Sequence, residues 1–279
     1  VGGGIPIIRP LCQCLAANYI EGIAGILNGT TNFILTMMIE EGMSFEEALK
    51  IAQEKGYAEK DPTADVEGHD ACRKVCILAS LAFGKHVYPN QVETEGITKI
   101  SLEDVSYIEN AGGVIKLLGQ IKYINDNEIA AFVSPAVVYN GSQLASVKDV
   151  FNAILVRGDA VGDVCFYGPG AGKLPTASAV VADIIDCAKH SDRKKIFGWG
   201  EGSENYVVDY KEKIEMPFYV RAKATPNEVN SKFADVKFLS RKGQPSDEVA
   251  FITDYMTENK LNKKLDGMNV INTIKVTNY

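Results

Sequence analysis

Apolar and polar positions divide the chain into short segments with distinct periods. Residues 20–27, IEGIAGIL, are apolar with interspersed glycines and predict a strand. Thr30 and Thr31 then cap a predicted helix that runs through Glu40 and ends at Gly42. Ser44-Phe45-Glu46-Glu47 is a capping box, in which hydroxyl and carboxylate satisfy each other's backbone donors. The helix it opens sets Phe45, Ala48, Leu49 and Ala52 on one face and stops at Gly56. Asp61-Pro62 forbids continuation. Helix resumes at 67–70 and ends at Gly84, its second half VCILASLAFG (75–84) almost wholly apolar.

Further along, the pattern predicts helices over 102–109 and 112–118 and a strand over 119–124, closed by Asn125-Asp126-Asn127. Residues 129–139 read as a strand, and 153–156 with 161–167 as a hairpin turning through Arg157-Gly158-Asp159. GPGAGKLPTA (168–177) reads as a loop, after which Thr176 caps a helix with Ala177, Val180, Val181, Ile184, Ile185 and Ala188 on one face. Residues 190–205, which include GWGEGSEN, read as a linker. In the tail, 218–223, 235–239 and 248–253 alternate like half-buried strands, 254–261 predicts a short helix and 270–276 a final strand. That is a small α+β module of about 65–75 residues, near the lower size of a domain.

Composition narrows the function more than the fold. The chain has 279 residues, 46% hydrophobic and 23% charged, enough for one large domain or two smaller ones. Lys and Arg number 29 against 36 Asp and Glu, a net charge of −7, which argues against nucleic acid or an anionic membrane as partner. No apolar run approaches the roughly 18 residues of a membrane helix, and no charged-then-apolar leader opens the chain. Cys12, Cys14, Cys72, Cys76, Cys165 and Cys187 form no CxxC pair, and the three histidines lie far apart, so zinc is not expected. Free thiols in a reducing, cytoplasmic setting are the simpler reading, and the sequons at Asn28 and Asn140 then carry no glycan. The opening VGGGIPIIRP has no initiator Met and reads as the inside of a domain, so a further segment is expected upstream.

Candidate chemistry concentrates in GYAEKDPTADVEGHDACRK (56–74), an acidic stretch that runs straight into the apolar helix. Asp70 and Lys74 sit four apart and share a helix face. On an exposed face they are an ordinary surface pair worth a few tenths of a kcal/mol. Lining a cleft, they would hold an ammonium beside a carboxylate with little water, a proton-transfer arrangement in which desolvation lowers the lysine pKa and Asp70 opposes it. Glu59 and Asp65, on the preceding loop, could take a substrate ammonium. GPGAGK fails the P-loop pattern, since Tyr167 stands where the first glycine belongs and Leu174 follows Lys173. Its strand–glycine loop–helix passage suits either a pyrophosphate or a plain tight turn.

GYAEKDPTADVEGHDACRKVCILA closely resembles the homoserine dehydrogenase signature, with G-Y-x-E-x-D-P-x-x-D-x-x-G-x-D-x-x-R-K in order. VGGGIPII resembles the point where that family's chain leaves the nucleotide domain. GILNGTTNFIL resembles the strand–loop–helix that follows, and YGPGAGKLPTASAVVADI the return to the cofactor. The likeness spans roughly residues 1–190. It implies an α/β (α+β) fold, a mixed sheet carrying helices on one face and pairing with a second subunit as a homodimer or homotetramer. It implies NAD(P)-dependent interconversion of L-homoserine and L-aspartate 4-semialdehyde. By position, Lys74 would transfer the proton, Asp70 would orient it, Glu59 would take the substrate amino group, and Asp65, Tyr57 and Thr30 would share the pocket. Gly170 and Gly172 would approach the cofactor, and backbone carbonyls of Val1, Gly3 and Ile5 would hold a monovalent cation, sodium.

The family's G-x-G-x-x-G half and its second active-site lysine are not in this sequence. Residues 211–279 resemble the regulatory ACT module, which implies threonine as an effector. The Asp-x-Pro-Gly turn and first long helix of that module are shortened here, which would make the tail purely structural. A reading of another class, a noncatalytic amino-acid-binding regulatory protein, uses the same pocket without cofactor.

Overall fold

The computed structural model describes residues 1–192 and 198–279. Its strands are β1 (Ile20–Ile26), β2 (Glu93–Thr94), β3 (Gly113–Asn125), β4 (Glu128–Tyr139), β5 (Phe151–Gly158), β6 (Gly162–Pro169), β7 (Phe218–Lys223), β8 (Val236–Leu239), β9 (Glu248–Thr253) and β10 (Asn269–Val276). Helices are α1 (Gly29–Glu41), α2 (Phe45–Glu54), α3 (Thr63–Val66), α4 (His69–Phe83), α5 (Leu102–Asn110), α6 (Lys173–Lys189), α7 (Tyr210–Lys213), α8 (Pro226–Lys232) and α9 (Glu258–Leu265). The strands form one mixed sheet in the order β6-β5-β1-β3-β4-β10-β7-β9-β8, with β2 on β4. Most neighbours are antiparallel. β10 joins β4 in parallel, with Lys275 opposite Ala136, so the tail strands extend the same sheet.

Alternation along β4 shows how the layers divide. Ile129, Ala131, Val133 and Val137 face a core shared with Phe33, Leu35 and Met38 of α1, Val75, Leu78 and Ala79 of α4, and Val105, Tyr107 and Ile108 of α5. Ala130 and Phe132 face the other way, into a core with Tyr210, Val229, Leu261 and Leu265 of α7, α8 and α9. The expected mixed sheet with helices on one face is thus what residues 1–139 build, and the tail helices lie on the opposite face. At full burial each of these aliphatic side chains contributes about 1.5–3 kcal/mol, so the two cores dominate stability.

One glycine sets how closely α4 approaches the sheet. A Cβ on Gly119 of β3 would stand 2.5 Å from Val75 Cγ2 and 2.8 Å from Leu27 Cδ1. Only hydrogen fits there, and α4 is drawn down onto the end of β1.

Several expected boundaries move. Residues 112–118 are not a helix: β3 runs unbroken from Gly113, hydrogen-bonded to β1 and β4. The cap of α1 is Asn28, two residues before Thr30, and its side chain accepts the Thr31 N–H. α6 starts at Lys173 rather than at a Thr176 cap, because Pro175 in its first turn needs no hydrogen bond there. The β5–β6 hairpin pairs Gly158 with Gly162, so Arg157 and Gly158 belong to the strand and the turn is 159–161. α9 sits four residues later than 254–261, capped by Thr257. Of the stretch read as a linker, 193–197 lie outside the described residues; just beyond it Tyr206 is buried and the Val208 N–H bonds the Ile129 carbonyl at 2.9 Å. Among the described residues no helix is long and apolar enough to cross a membrane.

Candidate active site

The sheet ends of β1 and the turn into α1 create the site. As β1 finishes at Ile26, Leu27 turns its carbonyl outward and Asn28 caps α1 with φ −130° and ψ 118°. Opposite them lie the short α3 and the first turns of α4. Gly68, in the left-handed region with φ 81°, redirects the chain between those helices. This brings Asp65 of α3 and Asp70 of α4 to one place.

Lys74 follows Asp70 by one helical turn, and its Nζ donates to Asp70 Oδ2 at 2.6 Å and to the Leu27 carbonyl at 2.7 Å. Side-chain exposure is 24% for Lys74 and 33% for Asp70, so the pair is partly desolvated and is not a fully solvated surface bridge. Asn28 Nδ2 donates to Asp65 Oδ1 at 2.7 Å and to Asp70 Oδ2 at 2.9 Å. Burial pushes the Asp65 carboxyl above its ordinary value, the Asn28 hydrogen bond opposes this, and the nearby Asp70 and Glu59 charges add to the rise.

The remaining expected residues surround this centre. Thr30 Oγ1 donates to the Tyr57 carbonyl at 2.6 Å, tying the α1 start to the loop after α2. The Tyr57 ring is exposed and packs edge-on against Phe33 with centroids 5.1 Å apart. Glu59 is exposed, its backbone held by Gln53 Nε2 at 3.0 Å, and its carboxylate is close enough to act on Asp65. The Val1 nitrogen lies close enough to Lys74 and Asp70 for their charges to act on it. Gly2 and Gly3 both adopt positive φ, and the Gly4 N–H donates to the Pro169 carbonyl at 3.1 Å. That contact sets the opening segment, with Gly3 and Ile5, beside the 168–172 loop.

The glycine loop is fixed by packing. A Cβ on Gly170 would lie 2.3 Å from Asn152 Cγ, and Gly172, at φ 117°, precedes α6 without any side-chain cap. The first intrahelical bond there is Thr176 N–H to the Gly172 carbonyl, which leaves the Lys173 and Leu174 amides free at the helix start. Those donors fit an anionic cofactor group.

Asn28 and the Leu27 carbonyl were not legible as site residues. Asn28 reads as a sequon, and a carbonyl has no sequence signature. An asparagine two residues ahead of a threonine-rich helix start was the available signal. The structure therefore brings Lys74, Asp70, Asp65, Thr30, Tyr57 and Glu59 into one neighbourhood, and sets Val1 near Lys74 and Gly3 against Gly170.

The homoserine dehydrogenase family model matches residues 6–185. A homoserine dehydrogenase of Synechocystis is 51% identical over 189 residues, which cover 67% of this chain and 44% of that protein. The crystal structure of a homoserine dehydrogenase from Thiobacillus denitrificans superposes with a TM-score of 0.87 at 36% identity, covering 99% of this chain and 68% of that one. A hyperthermophilic archaeal homoserine dehydrogenase mutant, in complex with NADPH, matches at a TM-score of 0.56 and 31% identity, over 68% of this chain and 54% of its own. The chain spans about half the length of the curated relatives it matches. With its signature segment folded into the Asn28–Asp65–Asp70–Lys74 cluster, this chain belongs to the homoserine dehydrogenase family.

Proposed function

We propose that this chain supplies the substrate-binding and proton-transferring part of an NAD(P)-dependent homoserine dehydrogenase that interconverts L-homoserine and L-aspartate 4-semialdehyde. The observation that carries the reading is the donor count at Lys74. An ammonium has three N–H donors; Asp70 takes one and the Leu27 carbonyl another, and the third is left for a substrate oxygen. In the reductive direction that N–H gives its proton to the aldehyde oxygen as it becomes a hydroxyl. In the oxidative direction Lys74 enters as the neutral amine, its two N–H on Asp70 and the Leu27 carbonyl and its lone pair toward the substrate, and Nζ receives the hydroxyl proton. Asp70 holds the nitrogen in place and offsets its charge. Asp65 and Glu59 offer carboxylates to the substrate ammonium, and the rise in the Asp65 pKa, caused first by burial and increased by the Asp70 and Glu59 charges, would be countered by that cation.

The dinucleotide, when bound, accepts or supplies the hydride. The residues on this chain that fit it are Gly170, Gly172 and the uncapped start of α6. α6 also exposes Leu174, Val180, Val181, Ile184 and Ile185, a face suited to packing on a cofactor domain. In this reading 1–190 is the catalytic and dimerisation unit, with 168–190 turned toward that domain, and 211–279 is an ACT-like module. For sodium, the carbonyls of Val1, Gly3 and Ile5 are hard oxygen donors on a tight turn closed by the Ile5 N–H on the Gly2 carbonyl at 2.9 Å. Threonine as effector, a homodimer or homotetramer, and a cytoplasmic location rest on the resemblance. Family membership favours the enzyme over a noncatalytic sensor.

The test is direct. Full-length protein given L-homoserine and NAD(P) should generate NAD(P)H, and given L-aspartate 4-semialdehyde it should consume it. Protein that binds L-homoserine but turns over in neither direction would reverse the reading in favour of the sensor.

A further inference from the structure

We propose that Asn28 is a positioning residue for this site: one neutral amide clamps the Asp65 and Asp70 carboxylates together and thereby holds the acceptor to which Lys74 is bound. The proposal rests on the reading of the site as that of homoserine dehydrogenase.

The geometry uses every hydrogen-bonding capacity of the Asn28 side chain. Its Oδ1 accepts from the Thr31 N–H at 2.9 Å and from Thr31 Oγ1 at 3.0 Å. Its Nδ2 donates to Asp65 Oδ1 at 2.7 Å and to Asp70 Oδ2 at 2.9 Å. Two donors and two acceptors are thus all engaged. The amide cannot turn over, because a backbone N–H only donates, so oxygen must face Thr31 and nitrogen must face the carboxylates. Asn28 is 6% exposed, so water does not replace either bond.

The clamp answers an electrostatic problem. Asp65, with Asp70 and Glu59 near it, carries more negative charge than Lys74 alone balances. An amide hydrogen-bonds the ionised form of both carboxylates without adding charge. Asp70 Oδ2 receives the amide and the Lys74 ammonium together, which fixes where the lysine's third N–H points. The residue that caps α1 therefore also sets the separation of α1 from α3 and α4.

Two variants of the full-length enzyme separate clamp from cap. Asn28→Ser keeps a good N-cap acceptor and loses both donors; Asn28→Asp keeps the cap and the size but turns the donors into a third carboxylate. For Asn28→Ser, kcat/KM for L-homoserine should fall about 10- to 100-fold. Its acid limb should move to higher pH by about one unit, because Asp65 loses the bond that held its pKa down. Asn28→Asp should be worse on both counts. A wild-type pH profile and kcat/KM in Asn28→Ser would leave Asn28 as a cap only and overturn the proposal. Thermal melts supply a readout independent of turnover. The loss of Tm in Asn28→Ser should grow as pH rises through the carboxylate range and the two acids ionise. A deficit that is constant with pH would overturn the proposal. Should wild-type enzyme prove inactive toward L-homoserine, the proposed function fails, while the pH-dependent melts still decide the clamp.

Discussion

Lys74 and Leu27 stand 47 residues apart in the chain, and the ammonium of the first donates to the carbonyl of the second at 2.7 Å. The bond ties α4 to the last turn of backbone leaving β1. Leu27 is itself buried, with its side chain over Gly119, so the acceptor is anchored in the sheet. Lys74 is therefore held from two sides, by its own helix through Asp70 and by the sheet through Leu27, and the direction of its remaining N–H is set by the fold.

Replacing Lys74 separates proton transfer from binding. In full-length enzyme Lys74→Ala should lower kcat by about 10²- to 10⁴-fold, the usual worth of a positioned general acid–base. L-homoserine binding, measured calorimetrically, should change far less, since Asp65 and Glu59 remain. Lys74→Arg should keep the pairing with Asp70 yet recover little of the rate, because a guanidinium does not give up its proton at working pH. Turnover near wild type in Lys74→Ala would remove the residue from the mechanism.

Asn32, one turn into α1, pins the loop that follows β4. It is 1% exposed; Nδ2 faces the carbonyls of Asp149 at 2.9 Å and of Val147 and Phe151 at 3.3 Å, and Oδ1 accepts from Lys116 at 3.1 Å. Asp149 in that loop is, among the described residues, the non-glycine residue with positive φ, at 52°, and its carbonyl accepts from Asn32. Asn32→Ala leaves several buried groups without their partner, and should destabilise the fold by about 2–4 kcal/mol in urea unfolding. A loss below about 1 kcal/mol would mean that the loop relaxes around the change.

Gly170 offers a steric test of the glycine loop. A methyl there meets the amide of Asn152, which is 1% exposed and has little room to retreat. Gly170→Ala should cost about 1–3 kcal/mol, as overpacking does. It should also raise the KM for the dinucleotide. Adding Asn152→Ala vacates the space, so the double variant should recover stability relative to Gly170→Ala. Additive losses would show that the two residues do not oppose each other.

Much of this arrangement was readable before folding, and the failures have identifiable causes. Asp65, Asp70 and Lys74 were legible because their relation is local: a proline break, a loop and one helical turn. Asn28 and Leu27 were not, because they meet those residues only after β1 and α4 pack across Gly119. β3 was misread as a helix over 112–118 because it is buried on both faces, by α1, α4 and α5 on one side and the 140–150 loop on the other. Burial on both sides erases the period-two alternation, and VIKLLGQI then fits a helix as readily as a strand. The joining of tail and catalytic sheet by β10 on β4 depends on two paired residues, too short a register to be written in any pattern.

Lys116 carries the last prediction, one of stability against pH. It lies in β3, 2% exposed, with Nζ donating to Asn32 Oδ1 at 3.1 Å and to the Val147 carbonyl at 2.5 Å. Burial pulls its pKa from 10.5 down to about 8; Glu40 and Asp149 resist the fall and Lys148 aids it. Between those two values the unfolded chain holds the proton and the folded chain has released it. Unfolding then takes up a proton, so raising the pH through this window stabilises the fold, and the gain is lost again as pH falls through about 8. The full effect is about 3 kcal/mol at most. Buried tyrosines such as Tyr107, whose pKa is pushed up to about 12, act in the opposite direction at the alkaline end, because the fold keeps their protons. The difference between wild type and Lys116→Met cancels those contributions. Urea unfolding of the two proteins should show wild type gaining on the variant from about pH 8 to about pH 10, and stability curves that stay parallel would mean Lys116 titrates as a solvated lysine does.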